Sequence, residues 1–358
     1  MVISKKSNMH YRKTYKGILI AAMALFLVSC EQNSINSINE PKDSLVVTGK
    51  EELQYFPDAP GYYTNNNNSD SLIIQFELYA GNKPMITGKI NNKNARFLID
   101  NGKLFNEIWF YNGETDSLNL YYKTHEADSL IGIGEKEANP IYDGNPVNLS
   151  FTNVQFMDQP TLISPSESGY ADFFPGINGQ ISSTLFKHFI VSFDFENLSI
   201  YLHKPEQFTP DKNQHAIKMQ KRNNGSYCIP FELTTKTGET HKVLLDIDIG
   251  TVFPLYLIST NTNNIAITDK TEKQFVGMGG SGEIYGFKDT LAELKLGNYS
   301  FKNYPVIIAP IESNSDTNIV ENGTFGIELM KNFTITFDYF NEILYLEPNK
   351  NFKGIDCK

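Results

Sequence analysis

The 358-residue chain predicts an all-β fold made of two pseudo-symmetric lobes. Three observations lead there. Aromatic residues make up 13% of the chain, with 25 Phe and 19 Tyr against a single Trp, and Phe and Tyr favour strands. Short alternating runs bounded by Gly, Asn and Asp dominate, while no long stretch repeats apolar residues at helical spacing. Finally, one half of the sequence echoes the other at a nearly constant offset.

The elements follow in chain order. Residues 1–29 read as an export signal. Lys5, Lys6, Arg12, Lys13 and Lys16 give a basic start, and Gly17 to Val28 form an uncharged apolar run too short to span a bilayer. The run ends in Leu27-Val28-Ser29-Cys30, which resembles the lipobox of bacterial lipoproteins. That resemblance implies cleavage before Cys30, lipidation of its sulfur and a lipid-anchored place in the cell envelope. The processed chain would carry 26 basic and 41 acidic side chains, a net charge of −15. Such an acidic balance argues against nucleic acid as a partner. Residues 30–69, rich in Asn, Ser and Gln, read as a polar tether. Lobes are expected over 70–204 and 227–350, with a linker over 205–226 and a tail over 351–358.

The duplication rests on four landmarks. His188-to-Phe195 followed by Glu196-to-Leu202 matches Asn332-to-Tyr339 followed by Phe340-to-Leu346, at an offset of 144 residues. Before these stand Gly176-x-x-Gly179 and Gly323-x-x-Gly326, which spacing pairs at an offset of 147 through a three-residue insertion. Further upstream, apolar runs end in Asp100-Asn101-Gly102 and Asp248-Ile249-Gly250. Glycine-rich stretches follow, Ile131-Gly132-Ile133-Gly134 in one copy and Val276-Gly277-Met278-Gly279-Gly280 in the other.

Two Asp-x-Gly turns related by a pseudo-twofold axis would face one another. Two carboxylates at close range cannot both ionise, so they share a proton and titrate as a unit. One then activates water while its protonated partner polarises a carbonyl. On these motifs the chain resembles the aspartic peptidases, specifically bacterial two-lobed, retropepsin-like members. The resemblance implies a β barrel for each lobe, Asp100 and Asp248 as the catalytic pair, and an extended peptide or protein as substrate. It implies substrate contacts from Gly102, Gly250 and a flap at Gly277, Met278, Gly279 and Gly280. It implies no cofactor and no metal, and with both half-sites in one chain a monomer suffices.

The family usually places Thr or Ser between Asp and Gly; here Asn101 and Ile249 stand instead, and Ile cannot hydrogen-bond through its side chain. Thr251 suits the position after the glycine, whereas Lys103 brings a charge. Asp246 shares a strand face with Asp248, but only Asp248 precedes a glycine at the right distance. Two functions stay open: an envelope aspartic endopeptidase, and a peptide-binding lipoprotein that keeps the cleft without the chemistry.

Other motifs carry less. Gly277-x-Gly279-x-x-Gly282 lacks the following helix a dinucleotide site needs. Ser281 lacks the pattern of a nucleophile elbow, and the six histidines show no HExxH spacing. Trp109 and Phe110 are expected in a lobe core. The pairing of Cys228 with Cys357 is left open by the sequence.

Overall fold

A computed structural model describes residues 61–64, 71–102, 107–111, 118–123, 128–130, 139–222, 225–259, 265, 273–279, 282–310 and 323–357. Cys30, Lys103, Gly280 and the glycine-rich stretch 131–134 lie outside the described residues. The protein is all-β, and among the described residues the strands form a 14-stranded and a 9-stranded sheet. The helical pieces among the described residues are single turns such as Ser183–Phe186 and Ile327–Met330.

Each half shows the same pairing scheme. In the first, strand Lys93–Ile99 runs antiparallel to Lys83–Ile90 and parallel to Gly179–Ile181. Strand Ile108–Phe110 then lies antiparallel to Gly179–Ile181 and parallel to Val154–Ile163. In the second half, Thr240–Asp248 runs antiparallel to Tyr227–Thr234 and parallel to Gly323–Gly326. Strand Leu255–Ser259 lies antiparallel to Gly323–Gly326 and parallel to Tyr299–Pro310. A chain that runs out beside a later strand of its own half closes each apolar run against a buried partner. Phe97 and Ile99, and likewise Leu245 and Ile247, are accordingly buried.

A shared antiparallel layer joins the halves. Strand Ile190–Asp194 pairs with Phe333–Asp338, with Ser192 opposite Thr336. These two residues are equivalent under the sequence offset of 144, so a local twofold axis passes between them. Their hydroxyls meet at 2.7 Å across it. The flanking turns are closed alike: Asn197 Nδ2 donates to Asp194 Oδ2 at 2.7 Å, and Asn341 Nδ2 to Asp338 Oδ2 at 2.8 Å. One apolar cluster runs through both halves, from Phe97, Phe110 and Phe193 to Phe325 and Phe337. Trp109 and Phe110 are both buried, Phe110 in this cluster and Trp109 in a smaller one with Tyr111, Tyr170 and Phe174.

The structure revises the glycine alignment. Ile181 stands opposite Ile99 and Phe325 opposite Ile247, the residues just before the two aspartates. Gly179 therefore corresponds to Gly323, at the same offset of 144, and no insertion is needed. Both lack a Cβ for one reason. An added Cβ would fall 2.0 Å from the Trp109 carbonyl oxygen in one copy and 2.0 Å from that of Tyr256 in the other. Matching Gly-x-x-Gly by spacing alone shifted the pair by three.

The segments read as linker, tether and tail carry strands too. His215–Lys218 and Gln220–Lys221, inside 205–226, pair with Ile343–Pro348 and Tyr227–Thr234. Tyr62–Thr64 pairs with Val154–Ile163, and Ile355–Asp356 with Tyr299–Pro310. Gln220–Lys221 and Ile355–Asp356 are exposed, whereas His215–Lys218 buries Ile217 in the core.

Candidate active site

Strands Lys93–Ile99 and Thr240–Asp248 each deliver an aspartate to a turn, and the two turns face one another. Within each, the carboxylate is bound by the glycine amide two residues on. Gly102 N–H donates to Asp100 Oδ1 at 3.0 Å, and Gly250 N–H to Asp248 Oδ1 at 2.7 Å. Across the gap each glycine makes room for the opposite carboxylate. An added Cβ on Gly102 would fall 2.6 Å from Asp248 Cγ, and one on Gly250 2.5 Å from Asp100 Oδ2. The same point beside Gly250 lies 3.0 Å from Asp248 Oδ1, so both carboxyl groups converge there. Sequence pattern singled out these four residues, and the fold brings them together.

Asn101 ties the turns to each other. Its side chain is buried, its Oδ1 accepts from Ile249 N–H at 2.8 Å, and its Nδ2 donates to the Tyr339 hydroxyl at 2.9 Å. The amide thus bridges the halves where the resembled family uses a hydroxyl. Ile249 is fully buried and contributes packing to the core. Thr251 Oγ1 donates to Asp248 Oδ2 at 2.6 Å.

Burial pushes Asp100 up to about 7, and the neighbouring Asp248 charge adds to the rise; Lys83 and the Gly102 amide oppose it. A carboxyl group with that environment keeps its proton well above the usual carboxylate range. Tyr111, whose hydroxyl donates to Gln180 Oε1 at 2.8 Å, is pushed well above the usual phenol range by burial and then by Asp100.

Asp246 has a different occupation. It accepts from Arg222 Nε and, at 3.0 Å, from Ser226 Oγ. Burial lifts it to about 6, against these two partners. Its carboxylate anchors the strand to the segment 220–226 and takes no part in the facing turns, which leaves Asp248 as the second carboxylate.

Lys83 is the residue that sequence reasoning missed. Its Nζ donates to the Gly250 carbonyl, sits 5.7 Å from the centre of the Phe174 ring, and feels the charges of both Asp100 and Asp248. Burial lowers its pKa, while the two carboxylates raise it. Only its place at the start of a strand that pairs with the Asp100 strand hinted at this position.

Beside the carboxyl pair opens a cavity of about 430 Å³. Tyr79, Phe174, Phe253, Tyr256, Phe275 and Ile284 wall it, with Lys83 and Gly250 at its carboxylate end. Hairpin strands Lys273–Gly279 and Gly282–Leu296 cover one side through Phe275, Val276, Gly277 and Ile284. Phe275 meets Phe173 of the first half at 6.0 Å, edge to face, and both rings are partly exposed. Gly277 therefore stands where the sequence expected a cover over the cleft. Met278 and Gly279 belong to the same strand.

Among the described residues no group of three or more His, Cys, Asp or Glu side chains is placed to hold a metal ion. Cys228 is buried and Cys357 exposed, and no disulfide joins them.

No family model matches the chain, and no curated protein matches it. Among solved structures, the crystal structure of basic 7S globulin from soybean is similar at 11% identity and a TM-score of 0.47, covering 80% of this chain and 98% of that one.

Proposed function

We propose that this protein is an aspartic-type endopeptidase with the two-lobed architecture its sequence resembles, hydrolysing extended peptides with Asp100, Asp248 and an activated water. The observation that carries this reading is the convergence of two carboxyl groups held in matching amide cradles, one of them favouring its protonated form. Asp100, which keeps its proton, donates to the carbonyl oxygen of the scissile bond. Asp248, oriented by Gly250 N–H and Thr251 Oγ1, takes a proton from water as its oxygen attacks the carbonyl carbon. The resulting gem-diol collapses as the C–N bond breaks, with the proton gained by Asp248 passing to the leaving nitrogen. The second hydroxyl proton returns to Asp100 and restores the pair. The cavity beside Gly250 accepts an apolar side chain flanking the scissile bond. On sequence grounds alone, we also propose export and lipid attachment at Cys30, so that hydrolysis takes place in the cell envelope.

The full-length chain, incubated with denatured protein between pH 3 and 8, is expected to cleave it. Asp100→Asn and Asp248→Asn are each expected to lower the rate by at least about 100-fold, the usual range for losing a general acid or base. Cleavage that persists in both variants overturns the reading. A second reading, peptide capture without turnover, is favoured by Lys83, whose ammonium next to the pair opposes the shared proton. Saturable peptide binding with no hydrolysis at any pH selects it.

A further inference from the structure

A half-buried cation beside a carboxyl pair that shares one proton is a conflict within the site. Lys83 reaches it from the first half, yet its Nζ donates to Gly250 O in the turn of the second. It thereby touches the carbonyl of the residue whose amide cradles Asp248. The acids whose charges reach it are Asp100 and Asp248, on the two facing turns. The cavity at its side adds the phenols of Tyr79 and Tyr256 and, among its described lining residues, no further acid or base. The Phe174 ring covers the ammonium at 5.7 Å.

Resting on the reading of Asp100 and Asp248 as a proton-sharing pair, we propose that Lys83 is a positioning residue that sets the pH at which the pair loses its shared proton, and so confines hydrolysis to acidic conditions. A charged ammonium stabilises the doubly ionised pair and therefore lowers the pH at which the last proton leaves. Its hydrogen bond to Gly250 O also fixes the turn that orients Asp248. Charge and hydrogen bond are separable by substitution. Gln keeps a donor for the carbonyl without the charge, Met removes both, and Arg retains both.

The test has two readouts on the full-length protein. The first is the carboxyl ¹³C NMR titration of Asp100 and Asp248, assigned by their loss in Asp100→Asn and Asp248→Asn. It needs no turnover. Lys83→Gln is expected to raise the midpoint for loss of the shared proton by about one pH unit or more, the effect of removing an opposite charge at close range. Lys83→Met is expected to do the same and Lys83→Arg to keep the wild-type midpoint. The second readout is the pH–rate profile, whose alkaline limb is expected to move upward with the NMR midpoint in Lys83→Gln. A purely structural Lys83 would lower the rate at every pH and leave the midpoint in place. An unchanged midpoint in Lys83→Gln and Lys83→Met, with both folded by their melting curves, overturns the proposal. A moved midpoint in a protein that never cleaves peptide upholds Lys83's hold on the pair's ionisation and overturns the endopeptidase reading instead.

Discussion

The turn at Asp100 and the turn at Asp248 have the same backbone and different side chains. In both, the glycine amide two residues on binds the aspartate, and the absent Cβ leaves space for the opposite carboxylate. Around that common frame the halves diverge. Asn101 reaches across to Ile249 N–H and to Tyr339, while Ile249 turns into the core. Asp248 gains a hydroxyl donor from Thr251, and the second turn gains Lys83 on the Gly250 carbonyl. The backbone needs symmetry to bring two carboxyl groups to one point. The chemistry needs asymmetry, because one group must hold the proton while the other gives it up.

The sharpest way to break this frame is to fill the space it depends on. Gly250→Ala places a methyl where Asp100 Oδ2 and Asp248 Oδ1 both lie, and Gly102→Ala drives one into Asp248. Neither carboxylate can withdraw without losing the hydrogen bond it accepts from its glycine N–H. Each substitution is expected to cost about 1–3 kcal/mol of stability through overpacking. Activity is expected to fall by about 100-fold or more, as displaced catalytic groups cause. Equal losses from the two variants would confirm that the turns crowd each other reciprocally. A fully active Gly250→Ala would show that the carboxyl groups stand farther apart.

Much of the frame was legible in the sequence, because a duplicated strand-and-turn pattern encodes geometry locally. Asp-x-Gly marks a tight turn, and repetition at a fixed offset places two such turns about one axis. What stayed hidden depends on contacts between distant segments. Lys83 begins an ordinary strand 17 residues before Asp100, and only the fold brings its Nζ to the Gly250 carbonyl of the second turn. Arg222, which occupies Asp246, lies in a stretch whose polarity reads as linker. Asp246 is held by Arg222 and Ser226, whereas Asp248 faces the first turn. The glycine pairs mislead because Gly-x-x-Gly occurs in both halves at a shifted position, whereas the strand register answers only to where a Cβ collides.

A smaller effect separates the two carboxyl groups through stability. Asp100 has an ordinary value of 3.8 and is raised to about 7 in the folded protein, so between those values the folded chain binds a proton that the unfolded chain has released. Stability is therefore expected to fall as pH rises from about 4 to about 7 and then to level. The contribution is on the order of 4 kcal/mol at most, one pH unit being worth about 1.4 kcal/mol. Asp100→Asn removes the ionisation, so the variant is expected to melt near the wild-type temperature at pH 4 and above it at pH 8. Asp246, raised to about 6, adds a decline of the same sign that Asp100→Asn leaves in place. Equal pH dependence in wild type and Asp100→Asn, followed by calorimetry, would remove the basis for giving Asp100 the proton.

The smallest effect concerns the bridge between the turns. Asn101→Ala strips the acceptor from a buried N–H, that of Ile249, and is expected to cost about 1–3 kcal/mol. Because the bridge also fixes the spacing of the carboxyl groups, activity should fall further than stability alone explains. Ile249→Thr tests whether the hydroxyl usual in the resembled family can serve at the second turn. Ile249 is fully buried among apolar side chains, so a hydroxyl there lacks the surroundings that would satisfy it and removes packed methyl groups. The variant is expected to lose stability and gain no activity. If Ile249→Thr instead stabilises the protein and rescues Asn101→Ala, the two turns are interchangeable, and the asymmetry lies in Thr251 and Lys83 alone. If it does neither, the single amide of Asn101 carries across the axis what two hydroxyls would otherwise share.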